Sequence, residues 1–210
     1  SYKTWIDTGV HIVQQELLHS KKLFVLGLSA GGMLAYNIAC LAHDVSGVIV
    51  TTLLDNRLKP VRNYSAKNKL QARIALPLLR FIPKQIRHVK IPVQAVTNMN
   101  AIVNNDRVLS LLLQDKRGAG SSVHLGLLCS MMESIPAVEP EAFEIPLLLC
   151  HPEKDRWTPE WISRLFFDRI RSPKELCTLK NAGHFPIEQP GITQLEEAII
   201  SFINKTLQER

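Results

Sequence analysis

Features that would mark several other classes of protein are missing from this chain of 210 residues. No apolar run approaches the length of about 20 residues that a membrane-spanning helix needs. The four cysteines show no Cys-x-x-Cys pair and no framework spacing, so we expect free thiols in a reducing, cytoplasmic compartment. Metal-ligand clusters, Gly-rich phosphate loops and internal repeats are also missing, and we therefore expect no cofactor and no bound metal.

Acidic residues are missing from a long central stretch of the chain. None occurs between Asp55 and Asp106, whereas this stretch carries ten of the 25 lysine and arginine residues. The remaining 15 basic residues are outnumbered by the 19 acidic residues of the chain. The net charge of +6 therefore arises from this central stretch. The ten basic residues are Arg57, Lys59, Arg62, Lys67, Lys69, Arg73, Arg80, Lys84, Arg87 and Lys90.

Apolar residues alternate with these charges and give an amphipathic basic segment, which is typical of proteins that rest on anionic lipid. They are Leu70, Ile74, Leu76, Leu78, Leu79, Phe81 and Ile82. A solvated surface whose apolar side packs on the core would show the same pattern, so both interpretations stay open. We expect no nucleic acid binding, because the segment has few aromatic residues for base stacking and matches no reader motif.

A serine within a Gly-x-Ser-x-Gly pattern lies between a strand-like and a helix-like run. Leu23 to Leu26 is a short apolar run suited to a buried parallel strand, and Met33 to Ala42 is apolar over a helical length. A serine at a sharp strand-to-helix turn has a strained backbone and needs small neighbours, which Gly27 and Gly31 would provide. The pattern predicts a nucleophile elbow with Ser29 as the nucleophile.

A nucleophilic serine requires a histidine to take its proton and a carboxylate to orient that histidine. Phe143 to Cys150 reads as a buried strand with Asp155 in the loop beyond it, and Lys174 to Leu179 reads as a last strand followed by His184. Open α/β sheets build their sites where the carboxyl ends of such strands meet. We therefore predict that Ser29, Asp155 and His184 form a catalytic triad.

Two of these assignments have rivals. Asp55 follows the apolar run Val48 to Leu54 and is the alternative acid, although the loop context favours Asp155. The sequence 158–160, Thr-Pro-Glu, supplies an N-cap, a first-turn proline and a first-turn acid for a following helix, which leaves Asp155 free for another task. His151 directly follows its predicted strand, and we interpret it as a residue that packs in the core or supports the residues of the site.

The order of serine, acid and histidine is the one expected for α/β-hydrolases. The chain resembles the C-terminal two-thirds of such a hydrolase, nearest the lysophospholipase and monoacylglycerol-lipase-like branch. The resemblance rests on Gly27 to Gly32, on Ile145 to Asp155, on Ala182 to Phe185 and on a closing amphipathic helix near Gln194 to Leu207. The acid loop departs from the usual pattern because Pro152 stands where a glycine is common.

This resemblance implies an α/β-hydrolase fold, with a mostly parallel sheet flanked by helices. Residues 1–57 and 139–210 would form the core, and a helical cap at 58–138 would be inserted after the second strand. The helix predicted at Trp5 to Leu18 would directly precede the elbow strand, so the first strands of the family's sheet would be absent from this sequence. The backbone N–H of Ala30 would be one oxyanion donor, and the second donor would belong to the absent part.

The predicted cap contains a second apolar piece, Val108 to Leu113 and Val123 to Met132. These runs lie on either side of a Gly/Ser-rich stretch at 116–122, whose composition predicts a hinge or a turn. A mobile apolar lid would suit an acyl chain, although plain packing needs the same residue types. We expect a serine hydrolase that cleaves a carboxylic ester of lipid-like or acyl type. A thioesterase, a peptidase or a carbon–carbon hydrolase on the same triad stays open, as does a noncatalytic protein of this fold that binds a small ligand or a partner.

Overall fold

Six strands are present in the part of the chain that a computed structural model describes, which comprises residues 1–67, 78–79 and 81–208. They are β1 (Phe24–Gly27), β2 (Gly47–Val50), β3 (Lys90–Pro92), β4 (Ser122–His124), β5 (Leu147–Pro152) and β6 (Lys174–Leu179). Part of the basic amphipathic segment lies outside the described residues, namely Lys69, Leu70, Arg73, Ile74, Leu76 and Arg80.

The main sheet contains four parallel strands in the order β1, β2, β5, β6. Every residue of β2 and of β5 is buried, as expected for inner strands that are covered on both faces. Alternate residues of these strands point to opposite faces. Val48 and Val50 join one apolar cluster with Leu147 and Leu149, whereas Ile49 of β2 joins a second cluster with Leu148 and Cys150 of β5.

Helices cover both faces of this sheet. The helices of the described residues are α1 (Tyr2–Leu17), α2 (Gly31–Ala42), α3 (Lys59–Ser65), α4 (Val93–Val96), α5 (Asp106–Gln114), α6 (Leu125–Met132), α7 (Glu160–Phe167) and α8 (Gly191–Gln208). Short 3-10 turns lie at Lys84–Ile86, Met99–Ala101 and Pro140–Ala142. Helices α2 and α7 contribute to the first cluster, with α1 packed on α2, and α8 contributes Phe202 to the second.

The predicted fold class, a mostly parallel sheet flanked by helices, is confirmed by this arrangement. The predicted strand at Phe143 to Cys150 is displaced, because β5 begins at Leu147 and continues through His151 to Pro152. None of the helices in the described part of the chain is long and apolar enough to span a bilayer.

Residues 58–138, here called the inserted segment, connect β2 to β5. We predicted this segment as a helical cap, but it also contains a small antiparallel ribbon in which Ile91 of β3 lies opposite Val123 of β4. The apolar run from Val123 onward therefore begins as a strand, and α6 starts only at Leu125. A short apolar run has no periodicity that separates strand from helix, so its pairing with β3 decides the outcome.

Candidate active site

Ser29 lies in the tight turn between β1 and α2 and has a φ of 52°, a left-handed conformation that is rare outside glycine. Two threonines that follow β2 hold this turn in place. The Ser29 N–H donates to Thr51 Oγ1 at 2.9 Å, and Thr52 Oγ1 donates to the Ser29 carbonyl oxygen at 2.9 Å. Because both backbone polar groups of Ser29 are bound by the neighbouring strand end, the serine is fixed in its strained conformation.

Two glycines allow the close contacts of this turn. A Cβ atom on Gly27 would lie 2.1 Å from the Gly31 carbonyl oxygen, and one on Gly32 would lie 1.9 Å from the Thr52 carbonyl oxygen. A Cβ on Gly31 would meet nothing within 4 Å. The prediction for Gly31 was therefore wrong, since the residue that needs to be small is Gly32, where α2 approaches the end of β2.

The structure brings Ser29, His184 and Asp155 into one hydrogen-bonded line. The Ser29 hydroxyl lies 2.6 Å from His184 Nε2, and His184 Nδ1 lies 2.8 Å from Asp155 Oδ2. The side chains of His184 and Asp155 are almost completely buried. Ser29 follows β1, His184 follows β6 and Asp155 follows β5. All three therefore lie at the carboxyl edge of the parallel sheet.

The acid is held by the loop that follows it. Asp155 Oδ1 accepts hydrogen bonds from the backbone N–H groups of Trp157, at 2.7 Å, and Thr158, at 2.9 Å, and Oδ2 accepts from Thr158 Oγ1 at 2.9 Å. Burial opposes ionisation of Asp155, but the bonds from His184, Thr158 and Trp157 outweigh it and hold the pKa below its usual value. Asp155 is therefore an anion at neutral pH.

The prediction that Thr158 caps the following helix is wrong. Its hydroxyl binds Asp155 instead. Helix α7 begins at Glu160, and its N-cap residue is Pro159, which has no side-chain hydrogen bond to the helix. The Thr158 hydroxyl is thus part of the support of the acid, a role that its position three residues after Asp155 makes possible.

Asp55, the alternative acid, is bound elsewhere. Its carboxylate accepts hydrogen bonds from the backbone and guanidinium N–H groups of Arg57, with distances of 2.8 to 3.0 Å. Arg57 also contacts Glu139, and these two carboxylates raise the pKa of the guanidinium. The structure therefore places Asp55 in an ion pair at the base of the inserted segment, and the acid hydrogen-bonded to His184 is Asp155.

His151 lies inside β5, and not after it as predicted, with 1% of its surface exposed. Neither ring nitrogen has a hydrogen-bond partner among the described residues. Burial lowers the pKa of His151, so the ring is neutral at neutral pH. Its burial agrees with the predicted packing role.

An apolar cavity of about 300 Å³ opens beside Ser29 and His184. It lies between the sheet edge and the inserted segment, and Tyr2 and Trp5 of α1 form another part of its wall. All four methionines of the chain line it, which are Met33, Met99, Met131 and Met132. Methionine side chains are flexible and polarizable, so such a wall can adapt to apolar ligands of different shape.

Ala30 also lines this cavity and directly follows the serine. Within the described residues its backbone N–H donates no hydrogen bond, whereas the N–H groups of Gly31 and Gly32 bind the carbonyl oxygens of Leu28 and Ser29. The Ala30 amide is thus available to a ligand atom beside the serine, which is what an oxyanion donor requires.

A parallel sheet that carries a strained serine, an acid and a histidine along one edge, in that chain order, defines the class of α/β-hydrolases. The sequence profile of one family of this class, described as serine aminopeptidase, S33 (Hydrolase_4), matches residues 6–189, and the chain belongs to this family. The resemblance inferred from the motifs is confirmed by this match. A search of curated protein sequences finds no match.

Several solved structures are similar to this chain. A monoacylglycerol lipase from Paleococcus ferrophilus aligns with a TM-score of 0.72 and 17% identity, over 97% of this chain and 76% of that one. A structure from work on the metagenome-derived lipolytic enzymes LipS and LipT aligns with a TM-score of 0.66 and 18% identity, over 97% of this chain and 74% of that one. A thermophilic esterase from Thermogutta terrifontis aligns with a TM-score of 0.57 and 20% identity, over 91% of this chain and 68% of that one. At such identities the likeness establishes the shared fold alone.

Proposed function

We propose that this hydrolase is a serine esterase that cleaves carboxylic esters of lipid-like or acyl type. The observation that carries the proposal is the 2.6 Å separation of Ser29 Oγ and His184 Nε2, which lets the imidazole take the proton of the serine hydroxyl. The bond from His184 to the ionised Asp155 supports it further, because that bond keeps Nε2 free of a proton and facing Ser29.

In the proposed reaction Ser29 Oγ attacks the ester carbonyl carbon while His184 Nε2 accepts its proton. The oxygen of the tetrahedral intermediate receives a hydrogen bond from the Ala30 N–H. His184 then gives the proton to the leaving alkoxy oxygen, and the C–O bond breaks to leave an acyl-enzyme. A water molecule gives a proton to His184 and attacks the acyl carbon, and the return of that proton to Ser29 releases the acid.

The cavity favours an apolar acyl group as the part of the substrate that is buried. Its wall is formed mainly by the four methionines and by several leucine and valine side chains, so a charged acyl group would lose most of its hydration there without compensation. Its volume lies at the lower end of the range for small-molecule sites, which favours short or medium chains over large ring systems.

Hydrolysis of p-nitrophenyl esters of increasing acyl length tests this function. We expect turnover by the unmodified chain, a preferred acyl length, and loss of turnover in Ser29→Ala. A fluorophosphonate probe should label Ser29, as identified by peptide mass spectrometry, and fail to label Ser29→Ala. Absence of both turnover and labelling would reject the esterase in favour of a protein that only binds a ligand.

The choice of acid is tested by a pair of matched variants. Asp155→Asn keeps the shape of the side chain but favours the wrong tautomer of His184, so kcat should fall by about 10⁴-fold. Asp55→Asn breaks the salt bridge to Arg57 but leaves the bond between His184 and Asp155 intact, and we expect kcat within about tenfold of the unmodified value. Equal losses in the two variants would contradict the assignment of Asp155.

We also propose that the basic part of the inserted segment contacts anionic lipid. Four apolar side chains between residues 78 and 90 are exposed, namely Leu78, Phe81, Ile86 and Val89, and the exposed Lys84 and Lys90 accompany them. This combination of exposed apolar and basic residues is what an anionic membrane surface attracts.

Sedimentation with phosphatidylcholine vesicles, with and without phosphatidylserine, tests this contact. Binding should require phosphatidylserine and weaken with salt. Because each lysine contributes about 1 kcal/mol near such a surface, Lys84→Gln/Lys90→Gln should bind roughly tenfold more weakly or worse. Lys21→Gln/Lys22→Gln, a charge-matched control before β1, should bind normally, and equal loss in both variants would contradict a local contact.

A further inference from the structure

One tryptophan packs directly against the histidine of the active site. The rings of Trp157 and His184 have centroids 4.7 Å apart and are inclined by 40°. Trp157 is 9% exposed, whereas the other two tryptophans of the chain, Trp5 and Trp161, are 48% and 47% exposed. Trp157 is thus the buried indole of the protein, and one of its neighbours is the imidazole that would carry the proton.

Trp157 is also anchored through both of its N–H groups. Its backbone N–H donates to Asp155 Oδ1 at 2.7 Å, and its indole Nε1–H donates to the carbonyl oxygen of Tyr64 in α3 at 2.8 Å. The Tyr64 ring packs edge-on against Trp161 of α7, with centroids 5.7 Å apart. Trp157 therefore contacts the acid through its backbone, and the histidine and the inserted segment through its side chain.

The proposed reaction turns His184 into an imidazolium ion. A cation within about 6 Å of an aromatic centroid is stabilised by the electron-rich ring, and the effect is larger when water is excluded. The contact between the Trp157 and His184 rings meets the distance criterion and is buried. The same contact restricts rotation of the imidazole away from Ser29.

We propose that Trp157 is a positioning residue, which holds the His184 ring, stabilises its protonated form and ties both to the inserted segment through the Tyr64 carbonyl. Its catalytic consequence rests on the proposed esterase function, but its effect on His184 does not.

The charged groups around His184 do not face the side of the imidazole that packs on Trp157. Asp155 faces Nδ1 and is ionised, and His151, which interacts with His184 from β5, is neutral because burial lowers its pKa. Asp55 lines the same cavity but is paired with Arg57. The face of the imidazole packed on Trp157 is therefore stabilised by an aromatic ring and not by a further charge.

The contact can be tested without any substrate. In Trp5→Phe/Trp161→Phe the remaining fluorescence belongs to Trp157, and an imidazolium quenches indole fluorescence more strongly than a neutral imidazole does. We expect the emission to fall when acid protonates His184, and a series of emission spectra at decreasing pH measures this. The fall should persist with Ser29→Ala added and disappear with His184→Gln added. Emission that is independent of pH, or a fall that survives His184→Gln, would overturn the proposal.

Kinetics separate the two parts of the role. Trp157→Phe keeps an aromatic face but loses the hydrogen bond to Tyr64, whereas Trp157→Leu loses both. In Trp157→Leu the protonated form of His184 is less stable, so the acid limb of kcat/KM should move to lower pH by about half a unit to one unit. Trp157→Phe should keep an acid limb nearer to that of the unmodified enzyme and show a raised KM. An acid limb that is unchanged in Trp157→Leu would overturn the proposal.

The two proposals fail in different ways. If no ester is hydrolysed but the fluorescence of Trp157 follows the protonation of His184, the esterase function is wrong and the positioning contact stands. The opposite result has three parts: esters are hydrolysed, the fluorescence of Trp157 does not depend on His184, and the acid limb of kcat/KM is unchanged in Trp157→Leu. In that case the esterase function stands and the role of Trp157 is rejected.

Discussion

At the scale of single residues, the proposed nucleophile, Ser29, depends on Thr52 in two ways. The Thr52 hydroxyl binds the Ser29 carbonyl oxygen, and the Thr52 carbonyl oxygen lies where a side chain on Gly32 would have to go. A non-glycine residue in a left-handed conformation costs on the order of 1–3 kcal/mol, and such residues persist when their surroundings fix them. The strained conformation of Ser29 is therefore maintained by close packing of the elbow on the end of β2.

This packing predicts opposite outcomes for two adjacent glycines. Gly32→Ala would place a methyl group 1.9 Å from the Thr52 carbonyl oxygen, so we expect a loss of about 1–3 kcal/mol or more in the free energy of unfolding, together with most of the esterase activity. Gly31→Ala meets open space in the first turn of α2 and should be neutral or slightly stabilising. Urea unfolding and ester hydrolysis measure both effects, and equal destabilisation by the two variants would contradict this account.

At the scale of elements, one glutamate joins the histidine turn to the inserted segment. Glu188 accepts hydrogen bonds from the backbone N–H of Gly183, at 2.8 Å, and from that of Asn104, at 2.9 Å. The Phe185 N–H donates to the Ile102 carbonyl oxygen at 2.7 Å. Phe185 is thus bound directly to residues 102–104 and Gly183 is linked to them through Glu188, so the inserted segment helps to position the histidine.

Removal of this link should affect catalysis as well as stability. Glu188→Ala leaves two N–H groups without their charged partner, and we expect the free energy of unfolding to fall by about 2 kcal/mol, with a lower kcat. Glu188→Gln keeps one acceptor oxygen and should be intermediate. Glu197→Ala, on an exposed part of α8, serves as the control and should change neither quantity. A normal kcat in Glu188→Ala would show that the histidine turn is held without the inserted segment.

Three strands of the sheet, β1, β2 and β5, were predictable because they are largely apolar runs of the right length, but their exact ends were not. β5 continues through Pro152 because β6 supplies partners for its last residues, with Pro152 opposite Leu179. On its other side, pairing with β2 has already ended at Leu149, so the missing N–H of proline costs no hydrogen bond there. The β3–β4 ribbon was missed for a related reason, since each strand has three residues and depends on a distant partner.

The three proposed triad residues were predictable because each follows a recognisable strand. The residues that support them carry no comparable signal in the sequence. Thr51, Trp157 and Glu188 each make a contact that forms only when separate loops meet, with Ser29, His184 and Asn104 respectively. Thr158 had a local signal, but that signal favoured a helix cap over the bond to Asp155.

At the scale of the whole molecule, several buried groups remain protonated well beyond the pH at which they ionise in an unfolded chain. All four cysteines are free thiols. Burial raises the pKa of Cys40 and of Cys150 from 9.0 to about 12, and it raises that of Tyr2 from 10.0 to about 12. Since their charged forms are excluded from the core, the folded state holds protons at alkaline pH that the unfolded state releases.

The free energy of unfolding should therefore be constant with respect to these groups below about pH 9 and fall above it. Each group contributes a slope of about −1.4 kcal/mol per pH unit between its unfolded and folded pKa values, so the two cysteines act first and Tyr2 adds to the slope above about pH 10. Urea unfolding at a series of pH values, in the presence of a reductant, measures the slope.

Two variants assign this alkaline loss of stability to its sources. Cys150→Ala loses packing and should be less stable at every pH, yet its free energy of unfolding should fall less steeply above pH 9 because one ionisable group is gone. Tyr2→Phe keeps the ring and should differ in slope only above about pH 10. Slopes that match the unmodified protein in both variants would show that its alkaline instability comes from surface charge repulsion and not from the buried thiols and the phenol of the core.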